Sequence, residues 1–134
     1  MNELLKKMNY KNQQRLLVLN APEEFHPHLQ AFREAAEVDE TIGQSERKLY
    51  GFVLVFAKNS RDVMAMAPEA VKRCEPGGLL WFAYPKKTSK KYKADISRDE
   101  GWQPLKELGF EGVRLIAIDD DWSAMRFRSA RQDL

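Results

Sequence analysis

The chain has 134 residues, which at roughly 100 to 200 residues per domain predicts a single domain over residues 1–134 and excludes a multidomain machine. Its 43% hydrophobic, 31% charged and 10% aromatic content is that of a globular protein with a real core, and excludes a disordered chain. The 22 Lys plus Arg against 20 Asp plus Glu leave a formal charge of +2, too small by itself to point to nucleic acid or a membrane surface, so any electrostatic argument is local.

Cys74 has no partner for an internal disulfide, residues 1–14 lack the apolar stretch of a secretory signal, and no apolar run approaches the roughly 20 residues that cross a bilayer. The expected setting is therefore the cytoplasm, with no membrane contact.

In chain order, Leu4, Leu5 and Met8 predict a short amino-terminal helix, α1, packed over the sheet. Residues 16–19 (LLVL) predict a first strand, β1. A helix, α2, follows from Pro22 to about Glu37, with Phe25, Leu29, Phe32 and Ala36 inward and Pro22 in the first turn. Residues 37–40 then form a short edge strand, β2, and residues 52–57 (FVLVFA) a third, β3. A helix α3 starts at Ser60, with Val63, Ala67, Ala70, Val71 and Cys74 on its core face, Pro68 as a kink, and an end before Pro76-Gly77-Gly78. Residues 79–84 (LLWFAY) predict β4.

Ser97 and Glu100 have the spacing of a capping box for α4, with Trp102, Leu105 and Leu108 on one face, Pro104 weakening its middle and Gly109 as the stop. Residues 113–118 and 122–128 predict β5 and β6, a terminal hairpin turned at Asp119-Asp120-Asp121. Residues 45–48 and 86–95 are the most loop-like. Since β1, β3 and β4 are apolar on both alternating faces, they predict central strands of a parallel sheet covered by helices on each side. The expected fold is a three-layer α/β/α sandwich around a mostly parallel sheet of about six strands.

The segments RLLVLNAPEEF (15–25), GGLLWFAYPKKTSK (77–90) and AIDDDWSAMRFR (117–128) resemble a family of small bacterial proteins known as a domain of unknown function. The whole plan resembles a Rossmann-like domain, the carboxyl half of the class I S-adenosylmethionine-dependent methyltransferases. That resemblance implies the sheet order β2-β1-β3-β4-β6-β5 with β6 antiparallel. It carries no established activity.

Open parallel sheets bind ligands beyond the carboxyl ends of their strands, at the switch point, here between β1 and β3. A methyltransferase or dinucleotide-binding chain shows a glycine-rich loop after β1, because glycine lets backbone N–H groups approach the cofactor. This chain has Asn20-Ala21-Pro22-Glu23-Glu24 there, with no glycine before Gly43. Asp39 or Glu40 stands where an acidic residue binds a ribose, or simply as a solvated strand end. After β3 come Lys58, Asn59, Ser60 and Arg61, and after β4 Lys86, Lys87, Thr88, Ser89, Lys90 and Lys91. If the two strands are neighbours these groups converge on a phosphate or carboxylate; the plain alternative is a lysine-rich loop that keeps the edge soluble.

Tyr84 and Tyr92 interleaved with five lysines match a base-stacking pattern, but +2 overall and no recognised module weigh against nucleic acid. His26 and His28 are two apart, do not share a helix face and lack further ligands, so no metal is expected. Asp119 to Asp121 read as turn residues. Cys74 reads as a core residue rather than an activated nucleophile. Trp81, Phe82, Trp102 and Phe110 read as packing between sheet and helices.

The reading these residues favour is a non-catalytic binding or regulatory module without a cofactor. Its anion-binding edge would consist of Lys58, Ser60, Arg61, Lys86, Lys87 and Ser89, for a small anionic ligand or a protein partner. The alternative is a divergent S-adenosylmethionine-dependent methyltransferase.

Overall fold

The computed structural model describes residues 2–43 and 48–130. Of the loop expected at 45–48, only Lys48 lies within them. The elements are α1 (Glu3–Lys7), β1 (Arg15–Leu19), one 3-10 turn (Glu23–Phe25), α2 (His26–Ala35), β2 (Glu37–Asp39), β3 (Tyr50–Phe56), α3 (Ser60–Arg73), β4 (Cys74–Pro85), α4 (Gln103–Glu107), β5 (Phe110–Ala117) and β6 (Trp122–Ser129). They form one six-stranded sheet in the order β2-β1-β3-β4-β6-β5. β1 to β4 run parallel, and β6 is antiparallel to both β4 and β5. This is the expected α/β/α architecture with its carboxy-terminal antiparallel hairpin.

The central strands are central because neither face of them tolerates water. Every residue of β3 is buried. Phe52, Leu54 and Phe56 face a core shared with Leu4, Leu5 and Met8 of the α1 segment and Leu29 and Phe32 of α2. Val53 and Val55 face the opposite core, with Val63, Ala67 and Ala70 of α3 and Leu105 of α4. At about 1.5–3 kcal/mol for each large apolar side chain buried, these two layers dominate the stability of the sheet. The indole Nε1 of Trp81 donates to the Met8 carbonyl at 3.1 Å, locking the amino-terminal segment to β4.

Proline geometry explains where two helices begin. A helix running on from Pro22 would drive the Pro27 ring into the Glu23 carbonyl, four residues back. The chain instead makes the 3-10 turn first, and α2 starts at His26 with Pro27 in its first turn. The expected capping box of α4 fails similarly: Pro104 opposes a helix containing Glu100, Gly101 adopts φ +100°, and α4 begins at Gln103. The Ser97 amide donates to the Glu100 carbonyl at 3.0 Å in a turn of its own. By contrast, α3 continues unbroken through Pro68, which sits on its exposed face, where water can serve the carbonyl left without an amide.

Two further expectations need correction. β4 starts five residues early, at Cys74, because Pro76-Gly77-Gly78 continues the strand through a register shift against β3, with Gly77 at φ +77°. Cys74 is therefore the end cap of α3 and the first strand residue, not part of a helix face. Trp81, Phe82 and Trp102 are core residues as expected, while Phe110 is half-buried at the β5 start. No described helix is long and apolar enough to cross a membrane.

Candidate functional site

The carboxyl ends of β1 to β5 and the start of β6 share one edge of the sheet, and residues 86–95 are draped across it. Beyond β1, Asn20 takes a left-handed conformation, φ 61°, the backbone that glycine adopts freely and that asparagine tolerates better than most residues. The chain then turns through Pro22, and Phe25 anchors the turn by packing edge-on against Phe56 at 4.7 Å. This leaves Glu23 exposed and points Glu24 along the edge.

Glu24 holds the strap. Its Oε2 accepts from the Tyr92 hydroxyl at 2.7 Å and the Trp122 indole at 3.1 Å, and its Oε1 from Lys91 Nζ at 3.1 Å. Burial alone pushes this carboxyl up. The hydrogen bonds from Tyr92, from its own amide, from Trp122 and from Lys91 outweigh that and hold it at about 2. Tyr92 also packs against Trp122 at 5.0 Å, and Lys58 Nζ lies 5.6 Å from the Tyr92 ring centre. Farther along the strap, Asp95 accepts from the Ser60 amide at 2.8 Å and the Ser60 hydroxyl at 2.5 Å, occupying the amino terminus of α3. Asn59 caps the same helix by accepting from the Asp62 amide at 2.9 Å.

The six residues expected to form an anion site are consequently divided. Ser60 is bonded to Asp95, and the Ser89 hydroxyl donates to Asp121 at 2.7 Å while accepting from the amides of Lys91 and Tyr92. Lys58 lies over Tyr92, and Arg61 is exposed on α3. Lys86 and Lys87 open instead, with Thr88, onto a recess of about 390 Å³ beside Ser97, Arg98 and Ser123.

At the β2 end Asp39 accepts from the Tyr50 hydroxyl and pairs with Lys48 at 2.8 Å, while Glu40 pairs with Arg33. The Lys48 and Tyr50 hydrogen bonds hold the Asp39 carboxyl below its ordinary range, and burial followed by Asp39 pushes the Tyr50 phenol up to about 12. His26 is exposed and His28 packs on Phe25 at 5.1 Å; no cluster of three or more potential ligands occurs among the described residues. Asp119 makes the hairpin turn by accepting from the amides of Asp121 and Trp122. Burial, then Glu75, pushes the Cys74 thiol up to about 12, the opposite of an activated nucleophile.

A cavity of about 790 Å³ lies at the opposite edge, between the start of β4 and the end of β6. It forms where β4 is not yet paired with β6, far from the switch point. Sequence reasoning missed Glu24, Tyr92 and Trp122 as a unit. They stand 68 and 98 residues apart, and no local motif relates them.

No protein-family model and no curated protein matches the chain. Solved structures do. The glycopeptide N-methyltransferase MtfA complexed with sinefungin superposes with TM-score 0.59 at 10% identity, covering 95% of this chain and 91% of that one. The N-methyltransferase NodS from Bradyrhizobium japonicum gives 0.58 at 13%, covering 95% and 93%. The DhpI–SAH complex gives 0.62 at 13%, covering 96% and 82%.

The fold is that of the class I methyltransferases. These matches overturn the expectation of a non-catalytic module without a cofactor, because the neighbours on this fold are methyltransferases, solved in several cases with adenosyl compounds. The acidic loop after β1 misled that reading. It opposes a phosphate, but it does not oppose a cationic sulfonium.

Proposed function

We propose that the chain is an S-adenosylmethionine-dependent methyltransferase of divergent form, acting as one domain in the cytoplasm. The observation that carries this reading is the superposition on methyltransferases of known structure over 95% of the chain; in an open sheet of this order a ligand crevice lies beyond the β1 and β3 ends. The donor set at this edge fits an adenosyl sulfonium better than a phosphate-linked nucleotide. Glu23, Asp39 and Glu40 are carboxylates, and the cofactor brings a sulfonium, an ammonium and a ribose diol. Each carboxylate has about four acceptor sites, so Asp39 and Glu40 retain capacity for ribose hydroxyls beside their bonds to Lys48, Tyr50 and Arg33. Glu23 is exposed next to the turn at Asn20, where it can receive the ammonium. When bound, the cofactor supplies an electrophilic methyl group. The chain's own part is to orient it and, through the Glu24, Tyr92 and Trp122 contacts, to keep water from the β3 end.

Thermal-shift measurements with S-adenosylmethionine, S-adenosylhomocysteine and sinefungin test this. A ligand at 100 times its Kd adds about 2.7 kcal/mol, or a rise in Tm of roughly 8–10 °C for a chain of this size. The expected rise is reduced in an Asp39→Asn, Glu40→Gln double variant. No rise with any of the three compounds at millimolar concentration overturns the reading.

A further inference from the structure

The recess beside Lys86 lies on the α3–α4 side of the carboxyl edge, at the β4 and β6 ends, next along the sheet from the crevice beyond β1 and β3. Its floor is Tyr84 of β4 and Ser123 of β6, neighbours in the antiparallel ladder. Its rim carries Lys86, Lys87 and Arg98 against a single carboxylate, Asp99, which pairs with Arg98 at 3.6 Å. Lys86 and Lys87 make no ion pair among the described residues.

The turn that presents them is fixed by backbone bonds. The Lys86 amide donates to the Asp121 carbonyl at 2.8 Å, and the Ser89 amide to the Lys86 carbonyl at 3.0 Å. The backbone of Ser97 is likewise bound, its carbonyl accepting from the Trp102 indole at 2.8 Å. Lys86, Lys87, Thr88, Ser97 and Ser123 therefore line one recess on a defined frame. Point charges with hydroxyl donors suit a tetrahedral oxyanion, and the Arg98 guanidinium, which meets Asp99 only through Nε at 3.6 Å, lies beside them.

We propose that this recess binds the phosphoryl group of a phosphate-bearing methyl acceptor. The assignment to an acceptor rests on the methyltransferase reading; the phosphoryl site itself does not.

The test is a two-dimensional amide NMR titration with inorganic tripolyphosphate, without any adenosyl compound and at constant ionic strength. Saturable shifts are expected at residues 84–88, 97–99 and 123. Affinity should fall about tenfold or more, equivalent to at least one decade in Kd, in a Lys86→Ala, Lys87→Ala double variant. A Lys90→Ala, Lys93→Ala variant, which removes the same charge from the same strap, should bind as the parent does. Absence of saturable shifts, equal weakening in both variants, or citrate binding as tightly as tripolyphosphate overturns the proposal. A Lys86- and Lys87-dependent site in a protein indifferent to S-adenosylhomocysteine refutes the methyltransferase reading alone. Adenosyl binding with a silent recess refutes only the phosphoryl site.

Discussion

The two halves of the carboxyl edge carry opposite charge and use it differently. At the β1 and β2 ends, Glu24, Asp39 and Glu40 are already bonded to Lys91, Lys48 and Arg33, so most of that acidity is spent on holding the fold. At the β3 and β4 ends, Lys58, Arg61, Lys86 and Lys87 make no ion pair among the described residues. One half has paired most of its charges internally, and the other leaves these four cations without an ion pair among the described residues. Trp122, Tyr92 and Glu24 form the seam between them.

Breaking that seam should give the largest effect. Trp122 is buried against Phe56 at 5.1 Å and Tyr92 at 5.0 Å and donates to Glu24. Trp122→Ala should cost about 3–5 kcal/mol in urea unfolding and speed hydrogen exchange through residues 86–95. Normal exchange in that segment would show that the strap does not depend on the seam.

A smaller loss, about 1–3 kcal/mol at neutral pH, is expected for Glu24→Gln, because the Lys91 and Tyr92 bonds lose their charged acceptor. Since the folded carboxyl titrates at about 2, below its ordinary 4.5, its contribution is fully present above the unfolded value. It is lost as pH falls through the window between the two. The variant should lack this part of the acid destabilisation; an unchanged acid profile would remove Glu24 from the account.

The smallest effect sharpens the basic half. Asn59→Ala removes the α3 cap and should cost about 1 kcal/mol, while leaving the response to adenosyl compounds intact. A loss of that response would mean that the two halves are coupled through α3.

Much of the fold is legible along the chain. β1, β3 and β4 announce themselves because burial on both faces demands unbroken apolar runs, and Gly109 ends α4 at φ +85° as expected. The misread helix starts share one cause. The S-x-x-E pattern at Ser97 is a local signal, whereas Pro27 and Pro104 each disfavour a helix that includes the residue four before them, a cost that the longer α3 absorbs at Pro68. Of the expected anion set, Lys86 and Lys87 border one recess. Ser60 and Ser89 left that set because Asp95 and Asp121 reach them first, and carboxylates 35 and 32 residues away send no signal into a local pattern.

Periodicity by itself determined which segments are strands, which faces they bury and that the sheet needs helices on both sides, because burial acts on each residue through its immediate alternation. The tertiary structure alone decided which charges cancel and which stay open. Pairing depends on the order of strands: only with β1, β3, β4 and β6 adjacent in space does Glu24 meet Tyr92 and Trp122, while Lys86 and Lys87 pair with no carboxylate among the described residues.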